Sequence, residues 1–258
     1  VTVAELLKKA GYATCMTGKW GLGEPGTTGE PNQQGFDEWF GYLNQRRAHT
    51  YWPPYLWKNG EKIVLEENKG GNHGVYSHDL FTEFAMEFLD KNKSNPFFLY
   101  LPYTIPHYTL HPPSLSPYEN ESWTKDQKAY AAMVTRMDKD VGKIAKWVNT
   151  HNLDQETIIF FCSDNGGLPR EKAFFNSTGP YRGAKGVLYE GGIRVPMIVR
   201  YPGHVQANSV SDSPWYFADL LPTLMDLIGE KRPDNIDGIS VLPTIMRRDQ
   251  ELSDRFMY

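Results

Sequence analysis

The chain has 258 residues, of which 40% are hydrophobic and 14% aromatic, and it carries a net charge of −4. That charge gives no reason to expect a nucleic acid or an anionic membrane surface as a partner, so an anionic ligand has to be held by local basic side chains. No run approaches the roughly 18 apolar residues of a membrane span, and Cys15 and Cys162 are too few for a disulfide framework. A chain of this length favours one large domain over two small ones.

Apolar periodicity predicts helices and strands that alternate along the chain. The predicted elements, in order, are a helix at residues 2–10, a strand at 13–17, a Gly- and Pro-rich loop at 21–35, a helix at 79–91, a strand at 97–101, a helix at 125–150, strands at 157–162 and 195–201, and a helix at 218–228. Because the strands are apolar on both faces, these elements predict an α/β fold with a mostly parallel sheet flanked by helices.

Two polar side chains directly follow predicted strands in the first half of the chain. Lys19 follows the first strand, and His107 follows the second in a loop stiffened by prolines. Ligands of parallel sheets bind beyond the carboxyl ends of the strands, so both residues are candidates for anion binding or proton transfer. Gly18, Gly21 and Gly23 would also let a ligand approach the backbone closely. The alternatives are a solvated lysine in a turn and a structural histidine.

The second half of the chain offers a pair of oxygen ligands and a cluster of cations. Asp164 and Asn165 lie side by side after the third predicted strand, which suits a hard cation such as Ca²⁺ or Mg²⁺, although the sequence is also typical of a turn. Arg182, Lys185 and Arg194 bring three cationic side chains into a glycine-rich segment. Such a cluster can bind a tetrahedral dianion, unless the three side chains are only solvated.

These segments, in this order, resemble the type I sulfatases, the arylsulfatase-like branch of the alkaline phosphatase superfamily. The matching segments are GYATCMTGKW at 11–20, the strand and Pro-His at 97–107, SDNGG at 163–167, RGAKG at 182–186 and EGGIRVP at 190–196, with further matches at 219–223 and 237–240. The resemblance spans nearly the whole chain, and it implies an alkaline phosphatase-like fold.

The resemblance also implies a set of roles for these residues. Asp164 and Asn165 would bind a divalent metal, usually Ca²⁺ with Mg²⁺ possible, and Lys19 and Lys185 would bind the sulfate and the aldehyde hydrate. His107 would assist the leaving oxygen, so the implied catalytic residues are Lys19, His107 and Lys185. The nucleophile of the family is formylglycine, which is made by oxidising a Cys or Ser.

The chain departs from the family pattern at both ends. The modified residue normally lies in Cys/Ser-x-Pro/Ala-x-Arg, and neither Cys15 nor Cys162 begins such a motif. The paired N-terminal aspartates that complete the metal site are also absent. We therefore expect a sulfatase catalytic domain that is incomplete at both ends, with its main α/β part at 1–228, the start of a C-terminal region at 229–258, and its nucleophile outside this chain.

A third departure concerns a histidine that many relatives carry two residues after the lysine. This chain has Gly21 at that position, and a glycine cannot take a proton from the hydrated aldehyde. His49 is our candidate for the replacement or for a substrate contact, and Arg182 and Arg194 are candidates for further substrate contacts.

The leading hypothesis is hydrolysis of sulfate monoesters on a small molecule or saccharide, and the expected substrate is a sulfated sugar. Trp and Tyr are concentrated at residues 39–57, where flat side chains with polar tips suit a saccharide cleft. The alternatives are a phosphoryl or phosphonate ester hydrolase of the same superfamily and an inactive fragment that binds anions or metal. We expect no nucleic acid partner and no membrane span, and the resemblance implies a periplasmic or secreted protein.

Overall fold

The computed structural model of the protein describes residues 1–247. The chain divides into two compact units, Val1–Trp147 and Val148–Tyr258. The expected domain, with a main part at 1–228 and a C-terminal region at 229–258, stays a prediction, and residues 248–258 of that region lie outside the described residues.

The predicted elements lie within two residues of their predicted bounds, and three further strands and three short helices were not predicted. In chain order they are α1 (Val3–Lys9), β1 (Ala13–Lys19), β2 (Glu38–Tyr42), β3 (Tyr55–Lys58), β4 (Glu61–Val64), α2 (Ser77–Asn92), β5 (Phe97–Tyr100), α3 (Lys125–Thr150), β6 (Ile159–Cys162), α4 (Lys172–Phe175), α5 (Glu190–Ile193), β7 (Met197–Arg200), α6 (Leu220–Ile228) and α7 (Leu242–Ile245). None of the helices within residues 1–247 is long and apolar enough to cross a membrane.

The first unit contains a five-stranded sheet with the order β4-β3-β2-β1-β5. Strand β1 pairs in parallel with both β2 and β5, whereas β2, β3 and β4 form an antiparallel meander. In the second unit, β6 and β7 pair antiparallel. The α/β prediction is confirmed, but the expectation of a mostly parallel sheet is corrected to a mixed one.

The antiparallel pairing of β3 and β4 comes from a two-residue hairpin turn. Asn59 and Gly60 connect the two strands, and both have a positive φ, of 49° and 85°. Asn-Gly is a preferred pair for this kind of turn because both central residues of a type I′ turn need a positive φ. The Asn59-Gly60 dipeptide therefore indicates a hairpin, which apolar runs alone do not predict.

Strand β1 is buried on both faces, and its alternate side chains enter two different cores. Cys15 packs with Phe81 and Phe84 of α2, and Met16 packs on the opposite face with Trp39 and with Ala4 of α1. This burial explains the continuous apolar run in the sequence, and it fixes the strand that ends at the candidate site. Burial also raises the pKa of the Cys15 thiol, which makes Cys15 a core residue rather than a nucleophile.

A buried polar network joins α2 to α3. His78 is fully buried, and its Nε2 lies 2.9 Å from Oδ2 of Asp140. The Lys143 ammonium lies 2.6 Å from the other oxygen of the same carboxylate, and the Thr82 hydroxyl donates to Oδ2 at 3.2 Å. Because His78, Thr82 and Asp140 are buried, the network stabilises the fold only while its hydrogen bonds remain intact.

Candidate functional site

Lys19 is the last residue of β1, and Gly18, directly before it, allows a neighbouring segment of the same chain to come close. The Lys19 amide donates to the Pro102 carbonyl at 2.8 Å, and Lys19 is paired with Tyr42 of β2 in the sheet register. A Cβ on Gly18, which has a φ of 137°, would lie 2.3 Å from the Pro102 oxygen. The strand end is thus held between β2 and the segment that leads to His107.

The glycines around Lys19 serve packing of the chain on itself. A Cβ on Gly21 would lie 2.0 Å from Nε2 of Gln45, and one on Gly23 would lie 2.3 Å from the Gly29 carbonyl carbon. Backbone atoms occupy the space of a side chain at Gly18 and Gly23, and the end of the Gln45 side chain occupies it at Gly21. The expected close approach of a ligand to these glycines stays a prediction.

His107 and His49 lie against each other, although 58 positions separate them in the sequence. Their rings are stacked with centroids 4.0 Å apart and planes inclined by 6°. The Nδ1 atom of His107 makes a hydrogen bond to the Tyr108 carbonyl, which identifies Nδ1 as the protonated nitrogen in the neutral ring. The stacked rings therefore form a direct contact between two distant segments of the first unit.

The backbone around His107 is held by a buried tyrosine. Tyr51 is 1% exposed, and its hydroxyl donates to the carbonyl oxygens of His107 and, at 3.5 Å, Thr104. The His107 amide also donates to Thr104 at 3.3 Å. Because Tyr51 follows His49 by two residues, one loop supplies both the stacking ring and the brace for its partner.

In the second unit, the Asp164-Asn165 turn follows β6. The Asp164 side chain is exposed, and the Asn165 amide nitrogen donates to the Gly166 carbonyl at 3.1 Å. The Ser163 hydroxyl donates to the Asn165 carbonyl at 3.0 Å. Burial, with a smaller contribution from the Asp164 charge, raises the pKa of the neighbouring Cys162 thiol, so this cysteine is a poor nucleophile.

Backbone hydrogen bonds join this turn to the segment of Lys185. The Lys185 amide donates to the Gly167 carbonyl at 2.9 Å, and the Gly166 amide donates to the Gly192 carbonyl at 2.9 Å. A Cβ on Gly166 would lie 2.0 Å from the Gly191 oxygen, so this approach requires glycine. The two oxygen side chains and Lys185 therefore belong to one hydrogen-bonded frame.

The two arginines of the frame contact side chains within it. The Arg182 guanidinium lies 3.8 Å from the centroid of the Tyr189 ring, and Arg194 pairs with Glu190 at 2.5 Å and lies 4.9 Å from the Tyr181 ring centroid. The hydrogen bond to Glu190 raises the pKa of Arg194. Arg182 and Arg194 are exposed, and their predicted contacts with a substrate stay predictions.

Lys172 has a structural part in this frame that was not predicted. Its ammonium group donates to the carbonyl oxygens of Tyr181 at 2.9 Å and Gly183 at 2.8 Å. Lys172 lies on α4, outside the glycine-rich segment, and no spacing rule connects it to that segment. Only the fold brings the two together.

Asp164 and Asn165 offer the hard oxygen atoms that Ca²⁺ or Mg²⁺ prefers. Within residues 1–247, no group of three or more His, Cys, Asp or Glu side chains is arranged to hold a metal ion. The side-chain oxygens of Asp164 and Asn165 are therefore suitable ligands for a divalent cation, which would need further ligands besides these two.

Comparison with known proteins identifies the family of the chain. The sequence model described as Sulfatase matches residues 1–230. An N-acetylgalactosamine-6-sulfatase from Mus musculus is 33% identical over 263 residues, which cover 94% of this chain and 48% of the relative. Arylsulfatase G from Rattus norvegicus is 30% identical over 293 residues, which cover 96% of this chain and 53% of the relative.

A solved structure agrees with these relatives. The crystal structure of Ps i-CgsB in complex with k-i-k-neocarrahexaose superimposes with a TM-score of 0.80 at 31% identity, over 95% of this chain and 57% of that one. The chain spans about half the length of the curated relatives it matches. A family match over most of the chain, together with this fold, shows that the protein belongs to the sulfatase family.

Proposed function

We propose that the full-length protein hydrolyses sulfate monoesters carried by a sugar. The observation that carries this proposal is the frame of the second unit, in which the Lys185 amide is hydrogen bonded to the turn of Asp164 and Asn165. The cationic Lys185 and two hard oxygen ligands on one frame suit a sulfate monoester, whose sulfuryl oxygens carry negative charge.

In this proposal, Lys19 and Lys185 bind the sulfuryl oxygens. A lysine ammonium is a compact charge with three donors, so it stabilises negative charge that grows on these oxygens in the transition state. Arg182 and Arg194 would contact the substrate at the edge of the same frame. The position of Lys19 at the end of a buried strand supports its role, because its backbone is held on both sides.

His107, in its cationic form with a hydrogen on both ring nitrogens, would donate a proton from Nε2 to the leaving oxygen. The hydrogen bond of its Nδ1 to the Tyr108 carbonyl supports this assignment, because it fixes the orientation of the ring. His49, stacked on the same ring, would take up a proton in the other half of the reaction. Two adjacent imidazoles suit such a division of roles between acid and base.

Asp164 and Asn165 would hold a divalent cation, Ca²⁺ in the first place and Mg²⁺ as the alternative. When bound, the cation neutralises sulfate charge, and the formylglycine expected outside this chain supplies the nucleophile. The remaining metal ligands in this proposal are water, substrate oxygens or residues beyond those described. Removal of divalent cations with a chelator is expected to abolish turnover, and Ca²⁺ is expected to restore it.

The proposed substrate class is a sulfated saccharide. One relative is named for N-acetylgalactosamine, an amino sugar, and the similar crystal structure contains k-i-k-neocarrahexaose. The aromatic side chains at 39–57 support a sugar ligand in this chain as well. Export to the periplasm or out of the cell also belongs to this proposal.

The decisive measurement compares the sulfate and phosphate esters of one phenol with the full-length protein. We expect kcat/KM to be higher for the sulfate ester, and to fall about 100-fold or more in Lys185→Met. The control Lys231→Met removes a lysine that is 84% exposed and should behave as the wild type. A higher kcat/KM for the phosphate ester would favour the phosphoryl or phosphonate alternative, and no turnover of either would favour an anion-binding protein.

A further inference from the structure

A cavity of about 330 Å³ lies in the first unit beside the segment of Lys19. Its lining includes the side chains of Glu24, Tyr42, Asn44, Arg47, Tyr55 and Trp57. Ligand pockets range from roughly 300 to 1,000 Å³, so this one suits a single ring rather than a long chain.

The cavity adjoins the candidate site at two points. Tyr42, which lines it, is the direct sheet partner of Lys19, and neighbouring strands lie about 4.8 Å apart. Arg47, which also lines the cavity, belongs to the same short 3₁₀ helix as His49, and His49 stacks on His107. A group bound in the cavity would therefore be a near neighbour of an ester bound at Lys19 and His107.

The polar groups of the cavity are fixed by contacts within the protein. The Asn44 side-chain oxygen accepts from the amides of Arg46 and Arg47 at 3.0 and 3.3 Å, and its nitrogen donates to Glu24 at 3.3 Å. The Arg47 guanidinium lies 4.7 Å from the centroid of the Tyr55 ring. Glu24 and Asn44 can thus bond sugar hydroxyls, and Arg47 offers a planar fork to one carboxylate or sulfate.

The aromatic side chains complete a surface suited to a sugar ring. Tyr55 and Trp57 are half-buried, and their rings meet edge to face at 6.1 Å and 84°. The Lys62 ammonium lies 4.0 Å from the Tyr55 ring centroid and adds positive potential near Arg47. Flat apolar faces beside fixed polar groups favour a carbohydrate over a purely apolar ligand.

We infer that this cavity binds the sugar next to the sulfated one, and that Arg47 recognises an anionic substituent on that neighbouring sugar. The inference rests on the proposed function, because it identifies the substrate as at least a disaccharide. It assigns specificity for the second sugar to the loop between β2 and β3.

Binding to the full-length protein tests the inference without turnover. Disaccharides from chondroitin 6-sulfate, heparin and ι-carrageenan would each be titrated beside the matching sulfated monosaccharide, by calorimetry. We expect at least one disaccharide to bind 10-fold or more tightly than its monosaccharide, and Arg47→Ala to remove most of that gain. Arg47→Lys, which keeps the charge but not the fork, should keep part of it.

Arg46→Ala is the matched control, because Arg46 is exposed, adjoins Arg47 and does not line the cavity. Arg46→Ala should retain the full gain in affinity for the disaccharide. It therefore distinguishes loss of the planar Arg47 guanidinium from loss of one positive surface charge. If no disaccharide binds more tightly than its monosaccharide, or if Arg46→Ala and Arg47→Ala lose the gain equally, the inference is wrong. Tighter disaccharide binding without release of sulfate would support the subsite and contradict the proposed hydrolase.

Discussion

At the scale of single residues, the stacked imidazoles offer the sharpest test of the chemistry. His49→Ala in the full-length protein is expected to lower kcat on an aryl sulfate about 100-fold, because a positioned acid or base contributes roughly 10²–10⁴ to a rate. One limb of the pH profile of kcat/KM should disappear with it.

His49→Phe is the matched control for this change. A phenyl ring keeps a flat surface against His107 but has no nitrogen that can exchange a proton. If His49 acts chemically, Phe is as damaging as Ala. A wild-type rate in His49→Phe would mean that His49 contributes only by packing against His107. An unchanged rate in His49→Ala would mean that His49 has no part in the reaction.

Asp140 provides a second test at this scale, concerning stability rather than turnover. Burial pushes its pKa upward, but the hydrogen bonds with His78 and Lys143 outweigh burial and lower the pKa from 3.8 to about 2. A depressed pKa means that the ionised group stabilises the folded state above pH 4, and that this stabilisation is lost as the pH falls towards 2. The contribution is roughly 2 kcal/mol, at about 1.4 kcal/mol per pKa unit.

We therefore expect Asp140→Asn to lower the melting temperature at pH 7, and the difference from the wild type to shrink as the pH falls from 5 to 2. Asp138→Asn is the control, because Asp138 is exposed on the same helix. A difference that stays constant over this range would mean that the Asp140 charge does not contribute to stability.

At the scale of elements, α4 matters because it carries the lysine that ties two carbonyl groups of the Lys185 segment. Lys172→Met retains the length of the side chain but removes both hydrogen bonds, so the Tyr181 and Gly183 carbonyls lose a charged partner. We expect kcat/KM for an aryl sulfate to fall about 10-fold, and amide hydrogen exchange at residues 181–187 to accelerate.

The exchange measurement separates this positioning role from direct contact with the substrate. Lys231→Met, which removes a lysine outside the frame, should change neither quantity. Loss of activity with unchanged exchange would mean that Lys172 does not act by holding the segment.

Elements also show where sequence patterns are sufficient and where they fail. The strand that ends at Lys19 was predictable because burial on both faces leaves a continuous apolar run. The strands at 38–64 are harder to predict, because their aromatic side chains also fit a ligand surface. The Asn59-Gly60 turn is the sequence signal that indicates a hairpin there.

At the scale of the whole molecule, the fold class could be predicted from the sequence, and so could the positions of Lys19, His107 and the Asp164-Asn165 pair after strands. Strand ends are where α/β folds place ligands, and the roles of these residues stay predictions. The stacking of His49 and the bracing by Lys172 could not be predicted, because both depend on contacts between distant segments. No periodicity records such contacts.

The placement of β1 between β2 and β5 has a consequence for the entropy of binding. Both edges of this strand are hydrogen bonded, so the backbone torsions at Lys19 are already fixed in the free protein. Binding an anion then orders only the lysine side chain, at up to about 2 kcal/mol, whereas each backbone residue ordered would add roughly 1–2 kcal/mol. Most of the conformational entropy that would be lost when this lysine binds a sulfate has thus already been lost when the sheet folds.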